Sequence, residues 1–317
     1  MKKVLIGIII FGVIGGRTYI YKNRYSFYKY LPNVKNEGQF KNINNKVCLG
    51  EGKPFTGRIK NIKGEYTEIY SYKDGELNGL STVYYNGKVR EIGHWKDDRQ
   101  DGLFQLYNEK GILVDDGLFK DGMRNGVTEQ FYEKTGGKRV KGEYRDNLKV
   151  GEWEQYYISG TLQAKANYFD DELSGNYEEY YENGNLKLEG KYKNNLPEGE
   201  WKYYSENNTL LNIVRFKNGM FDGVKEDYYP NGVLSRKMEY KDNLPNGKYE
   251  SYWEDGKLQE TGIIKDSEYK EVKFYNKDGK FITEVGKNIP EDAEEEKVNI
   301  VDEKQEDIIK KSNKENK

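Results

Sequence analysis

A glycine that heads an aromatic-rich stretch recurs about every 24 residues, at Gly57, Gly79, Gly102, Gly126, Gly151, Gly175, Gly199, Gly223 and Gly247. The spacings are 22, 23, 24 and 25, then four of 24. A fixed period of this length means stacked supersecondary units that share a core no single unit can build. Such a chain folds as a repeat array, and its natural asset is an extended surface rather than one deep cleft.

Counted from its glycine, each unit holds two short runs rich in Tyr, Trp and Leu, as in GNYEEYYENGNLKLEGKYKNNLPE from Gly175. Turn dipeptides punctuate the runs, which is the pattern of β-hairpins. Asn86-Gly87, Asn183-Gly184, Asn231-Gly232 and Asp255-Gly256 fall within units, where tight two-residue turns with positive φ are expected. Asp74-Gly75, Asp121-Gly122, Asn194-Asn195, Asn218-Gly219 and Asp242-Asn243 fall between units. Turns at both ends predict a continuous meander. No stretch between Gly57 and Gly286 carries the three-to-four-residue apolar spacing of an amphipathic helix. The fold class expected is therefore all-β: an elongated meander of about nine tandem hairpins, twisted into an open sheet. Strands of about six residues at about 4.8 Å spacing would make a ribbon of about 85 Å.

Recurring slots supply the core. Position six is Tyr84, Tyr107, Phe131, Tyr156, Tyr180, Tyr204, Tyr228 and Tyr252, and the second strand has its own aromatic ladder, Tyr72, Trp95, Phe119, Tyr144, Tyr168, Tyr192, Phe216 and Tyr240. Leucine recurs at position twelve, as at Leu162, Leu186 and Leu210. Position seven is aromatic too, at Tyr85, Tyr132, Tyr157, Tyr181, Tyr229 and Trp253. Adjacent strand residues point to opposite faces, so one of the two neighbouring aromatic columns should stand on the more exposed face unless a bulge intervenes. The six position-seven rings are the candidate partner-binding residues.

Charge is unevenly distributed. Residues 1–35 carry seven basic side chains and no acid, and residues 288–317 carry ten acids and six lysines. The 52 basic and 54 acidic side chains of the chain leave 39 basic and 44 acidic ones between these ends, a net of −5. A mildly acidic body argues against nucleic acid as a partner, because phosphate binding needs clustered Lys and Arg. Residues 4–16 (VLIGIIIFGVIGG) follow two lysines. At 1.5 Å per residue they make about 20 Å of helix, the length of a signal-peptide apolar region; if Arg17 snorkels, the run reaches anchor length. The expected organisation is a signal peptide or membrane-anchoring apolar helix at 1–21, a linker with lead-in strands at 22–56, the repeat array at 57–287, and a charged solvated tail at 288–317. The expected location is the cell envelope, anchored or exported.

Catalytic chemistry is hard to find. The single histidine, His94, occupies a slot filled in other units by Ser71, Leu118, Glu143, Asn167, Lys191, Arg215, Glu239 and Ile263, so the slot has no common chemical task. A Ser-His-Asp arrangement or histidine-rich metal site is excluded on composition. The single cysteine, Cys48, permits no intrachain disulfide or cysteine-based zinc cluster, and reads as a small apolar residue of a lead-in strand. Carboxylate pairs such as Glu178 with Glu179 recur in solvated strand positions, and no calcium-loop or phosphate-loop spacing occurs. The expectation is a non-enzyme without cofactor or metal.

The unit pattern, Gly-x-aromatic-x-x-Tyr-Tyr-x-x-Gly-x-Leu and then Gly-x-Tyr-Lys-Asp/Asn-Gly/Asn, resembles the MORN-repeat variant in the form found in the bacterial YwqK-type antitoxin family. GNYEEYYENGNLKLEGKYKNN from Gly175 and GKYESYWEDGKLQETG from Gly247 carry the match, and Gly79, Gly102 and Gly126 open less regular copies. The resemblance implies a meander of hairpins that binds a protein partner, with neutralisation of a cognate toxin as the role suggested by the family label. The apolar segment departs from a simple cytosolic antitoxin and adds membrane attachment through the N-terminus. Exposed aromatic columns equally suit a cell-wall glycan, and the basic first 35 residues suit a membrane-surface tether.

Overall fold

The computed structural model describes residues 34–36, 40–49, 52–265 and 268–286. The apolar segment 1–21 and the charged tail 288–317 lie outside the described residues. The chain divides into two compact units, residues 1–136 and 137–317, and all regular structure among the described residues is β-strand.

In the first unit, β1 (Val34–Asn36) runs parallel to β5 (Gly57–Lys63). A separate three-stranded sheet is made by β2 (Phe40–Ile43), β3 (Lys46–Leu49) and β4 (Lys53–Pro54). From β5 onward the chain meanders antiparallel through β6 (Tyr66–Lys73), the short β7 (Glu76–Leu77), β8 (Gly79–Tyr85), β9 (Lys88–Lys96), β10 (Arg99–Tyr107), β11 (Leu113–Lys120) and β12 (Met123–Phe131). The small sheet packs Phe55 against Phe40 and Tyr72, at ring distances of 4.7 and 6.4 Å. Cys48 is buried in β3, as read from the sequence.

The second unit is the more regular. It runs antiparallel through β13 (Lys138–Arg145), β14 (Leu148–Tyr156), β15 (Leu162–Phe169), β16 (Glu172–Tyr180), β17 (Leu186–Lys193), β18 (Leu196–Tyr204) and β19 (Leu210–Lys217). It continues through β20 (Met220–Phe221), β21 (Gly223–Tyr228), β22 (Leu234–Lys241), β23 (Leu244–Tyr252), β24 (Leu258–Lys265), β25 (Glu268–Tyr275) and β26 (Phe281–Val285). Its strands are mostly eight or nine residues long, longer than the six expected, because the turn residues are fewer than the Gly and Asn content suggests.

The turns are distributed differently from the sequence reading. Between repeats both central residues take positive φ, as in Asn194 and Asn195 (50° and 65°) or Asp242 and Asn243 (49° and 70°), the I′ geometry. Within repeats only Asn86 and Gly87 do so (48° and 75°). In most other repeats the within-repeat connection is a longer loop with one left-handed residue, usually glycine, such as Gly184 at 89°, and in one repeat Asn208 at 62°. There Gly184 N–H donates to the Tyr181 carbonyl, Tyr181 N–H donates to Asn185, and the Asn183 Oδ1 accepts Asn185 N–H at 2.9 Å. That is a type I turn followed by a left-handed glycine. Asn183 therefore serves there as a side-chain acceptor rather than as a positive-φ residue.

The leading glycine marks a register shift. In the pairing of β15 with β16, Ala166 faces Tyr177 but Tyr168 faces Leu173, so three residues around Gly175 oppose one, Asn167. Gly175 has φ of 119°, and a Cβ there would lie 2.9 Å from the Cβ of Asn167. Both facts require glycine.

The core is a row that the position-six ladder does not predict. Position three, two residues after each glycine, is the most deeply buried: Trp153 is 7%, Trp201 4% and Tyr249 4% exposed. Both tryptophans lie between second-strand aromatics. Tyr144 and Tyr168 flank Trp153 at 5.0 and 6.0 Å, and Tyr192 and Phe216 flank Trp201 at 5.0 and 6.0 Å. The position sixteen before each tryptophan, and the one after Tyr249, is correspondingly small. A Cβ on Gly142 or Gly190 would overlap the following Trp153 or Trp201 ring, and one on Gly262 would stand 2.7 Å from Tyr249. Where position three is Lys225, its neighbours grow to the buried Val214 and Met238. A sheet one layer thick thus buries aromatics edge-to-face along a single row, the geometry aromatic pairs prefer.

Candidate binding surface

The strand pairing sorts the second unit into two faces, because directly opposed residues of antiparallel strands point the same way. One face holds the aromatic row. The other holds a line of directly opposed charges: Lys141, Glu154, Lys165 and Glu178, then Glu189 and Lys202, then Glu226, Lys237 and Glu250. Ion pairs of 3.8 Å join Lys141 to Glu154 and Lys202 to Glu189, and one of 3.9 Å joins Lys237 to Glu226. Partly solvated pairs of this kind stabilise by about 0–1 kcal/mol each. They give the face a defined charge sequence more than stability.

The position-six tyrosines belong to this charged face. Tyr156 donates its hydroxyl to Glu154 at 2.6 Å and Tyr252 donates to Glu250 at 2.8 Å, each two residues back and therefore on the same side of the strand. In the repeat headed by Gly199 the corresponding position four is Lys202, which cannot accept, and the Tyr204 hydroxyl turns to Glu189 on the neighbouring strand at 2.8 Å. Burial first, and then the carboxylate hydrogen bond, push Tyr180, Tyr204 and Tyr252 up to about 12. Lys248 holds the Glu250 carboxyl below its ordinary range, with Tyr252 contributing a hydrogen bond.

The six position-seven rings are each half-buried, which corrects the expectation that this column stands exposed. Three of them have an evident structural task. Tyr157, Tyr181 and Tyr229 donate their hydroxyls, each at 2.8 Å, to the main-chain carbonyls of Tyr180, Tyr204 and Tyr252, one repeat further on. Tyr85 packs on Tyr66 at 4.9 Å, and Tyr132 lies half-buried at the end of the first unit. Trp253 has no acceptor for its buried Nε1 among the described residues, and Lys277 sits over its ring at 5.4 Å. The bare alternation of side chains missed this because the ring lies at a strand end, where it folds over the next repeat.

The opposite edge is tied in the same way. Asn195 donates its N–H to the Leu173 carbonyl and accepts Leu173 N–H on Oδ1, at 2.9 and 2.8 Å, and Asn243 repeats the pair with Phe221. Where the turn residue is Gly219 only the main-chain bond to Pro197 remains, and Glu198 accepts the N–H of Asn218 instead. His94 places Nδ1 3.2 Å from the Leu103 carbonyl and the leading Gly102 beside its Cβ, a neighbour-strand contact with no second functional group. Among the described residues no group of three or more His, Cys, Asp or Glu could hold a metal.

Hairpins chained through I′ turns, headed by bulge glycines and stitched repeat to repeat at both edges, define a tandem β-hairpin repeat protein. The family whose model matches is the MORN repeat variant, in five copies at residues 149–170, 173–194, 197–218, 221–242 and 245–266. The first four copies each start just after one inter-repeat turn and close on the first central residue of the next, at Asp170, Asn194, Asn218 and Asp242. No curated protein matches the chain. Among solved structures, it is similar to "Crystal Structure of TcdB2-TccC3-Cdc42", at 12% identity and a TM-score of 0.18, over 74% of this chain and 15% of that one. It is similar also to "Crystal Structure of TcdB2-TccC3-TEV", at 11% identity and 0.19, over 75% and 15%. The chain thus spans about a seventh of the length of those chains.

Proposed function

We propose that this protein is a non-catalytic scaffold whose charged face binds a protein partner, in an antitoxin- or immunity-like role at the cell envelope. The observation that carries the reading is a division of labour within each repeat. Glycines, position-three rings, turn Asx residues and position-seven hydroxyls are committed to joining repeats. The second and seventeenth positions change from repeat to repeat on one face, and their contacts to the next repeat are not shared between copies: Arg215 donates to the Val224 carbonyl, whereas Glu239 accepts the N–H of Lys248.

The second position is Glu152, Asn176, Glu200, Val224 and Lys248, and the seventeenth is Asn167, Lys191, Arg215, Glu239 and Ile263. A broad open face that offers a different side chain at each step suits a protein surface, where electrostatic complementarity sets specificity and steers association. It does not suit a small substrate, which needs a concave site that encloses it. A small recess in the second unit is lined by Lys237, Glu239, Lys248, Tyr249 and Glu250.

The test is to isolate the stoichiometric complex formed by the full chain in its own cells and measure its affinity. Combined Lys191→Glu and Ile263→Asp should weaken it at least tenfold. Tyr181→Phe, which touches only the repeat-to-repeat stitch, should leave affinity unchanged. A complex indifferent to the first pair and abolished by the second would overturn the assignment of the charged face, and the absence of any protein complex would overturn the function.

A further inference from the structure

A second surface on the same side of the second unit runs along the inter-repeat turns. The last residue before each turn is Arg145, Lys193, Lys217, Lys241 and Lys265, all exposed, with Phe169 in the one remaining repeat. The residue after each turn is directly opposite in the pairing and shares the face: Leu148, Leu196, Met220 and Leu244, with Glu172 and Glu268 as the acidic interruptions. The apolar members are unusually open for their size, Phe169 at 64%, Leu244 at 60% and Leu196 at 47%. Arg145 pairs with Asp170 and Lys241 with Asp222, each at 2.7 Å, while Lys193, Lys217 and Lys265 form no ion pair among the described residues. The result is a stripe of alternating cations and large apolar groups. From β13 to β24 it crosses ten strand spacings, about 50 Å at 4.8 Å each.

The chain itself contains a segment of complementary chemistry, and the last described strand runs toward this stripe. β26 runs antiparallel to β25, with Val285 opposite Val272, and so heads toward the edge at which β25 begins. Gly286 backs onto the main chain of Glu271 near that edge. Residues 291–309 read EDAEEEKVNIVDEKQEDII, with nine acids against two lysines and five Val or Ile. Extended at about 3.3 Å per residue, nineteen residues span about 60 Å, which matches the stripe. Such a register sets the acids of 291–296 beside Lys265 and Lys241, and those of 302–307 beside Lys193.

We infer that residues 291–309 lie back along this stripe in the same molecule, acids on its lysines and Val or Ile on its open leucines, and so compete internally with any acidic partner of that face. The inference does not depend on the proposed charged-face function, since it concerns the turn-edge stripe and residues that function does not use.

The test is carbodiimide cross-linking of the full chain at low concentration, with peptide mapping of the monomer fraction. Cross-links from Lys241 and Lys265 to 291–296 and from Lys193 to 302–307 are expected, at a yield independent of protein concentration. They should be lost in Lys193→Glu with Lys241→Glu, and recovered on that background when Glu294, Glu295 and Glu296 are replaced by lysine, which the same carbodiimide then joins to the carboxylates introduced at 193 and 241. Hydrogen exchange gives the second reading: amides of 298–309 should exchange at least tenfold faster in Leu196→Asp with Leu244→Asp than in the parent. Cross-links confined to a dimer would assign the stripe to a second copy. Absent cross-links, with the full chain bound to phosphatidylserine vesicles through the same lysines, would assign it to an anionic membrane. Either result overturns the inference, as does unprotected exchange across 298–309 in the parent.

Discussion

Gly190 and Trp201 offer the sharpest test of how the core row works. A methyl added at Gly190 would overlap the Trp201 ring, so the indole has to withdraw by more than about 1 Å to restore ordinary carbon–carbon contact of about 3.5–4 Å. The indole has little room to do so. It is 4% exposed and wedged between Tyr192 and Phe216, and its Nε1 donates to the Lys191 carbonyl at 3.2 Å. Withdrawal therefore disturbs two ring contacts and one hydrogen bond, and the expected cost is that of overpacking a well-filled site, about 1–3 kcal/mol. The chain contains its own compensated version one repeat earlier, where the buried Ala166 precedes Tyr177. Gly190→Ala should lower the urea midpoint without changing the slope. Trp201→Tyr should also destabilise alone, yet on the Gly190→Ala background it should recover part of the loss, a coupling of about 1 kcal/mol of opposite sign to the single effects. Purely additive single changes, or a neutral Gly190→Ala, would refute the argument that ring size at position three dictates glycine before it.

Tyr181→Phe removes the hydroxyl that reaches the Tyr204 carbonyl, and should cost about 1 kcal/mol of stability, read as a lower melting temperature. Trp253→Tyr should do the reverse, since a phenol there can reach the Tyr275 carbonyl in the manner of Tyr229 with Tyr252, and a gain of about 1 kcal/mol in the same assay is expected. With Tyr180, Tyr204 and Tyr252 held neutral up to about 12, their contribution is complete below the unfolded value near 10 and lost as pH rises from about 10 to 12; ultraviolet titration of tyrosinate should show a late phase that shrinks in Tyr180→Phe. Glu250 has the opposite sign, its carboxyl being depressed by Lys248. Its contribution is present above the unfolded carboxylate value and lost as pH falls through the lower folded one, so Lys248→Ala should reduce the difference in melting temperature between neutral and acidic buffer.

The period, the strand class and the aromatic content were legible from the residues because each is a local property repeated nine times. Glycine spacing fixed the unit, and dipeptides such as Asn194-Asn195 and Asp242-Asn243 located the inter-repeat turns, since few residues tolerate positive φ. The core row was less legible. Trp153 and Trp201 are visible in the sequence, but their burial depends on Gly142 and Gly190, which sit on the preceding strand and meet them only through the bulged register. A signal was present in the inverse sizes of positions three and sixteen, Trp201 after Gly190 and Lys225 between Val214 and Met238, and it becomes readable once the pairing is known.

The candidate surface divided in the same way. Position-seven rings looked free because alternation places them opposite a core column, and only the folded chain shows Tyr157, Tyr181 and Tyr229 reaching the next repeat's carbonyls. What the amino-acid order determined by itself was the repeat, its period and its hairpins, because turn chemistry and strand preference act over a few residues. What tertiary structure decided was which ring is core, which hydroxyl is a stitch and which lysines line up with which leucines. Those outcomes depend on register between strands about 24 residues apart, and a shift of one residue would send every side chain to the other face.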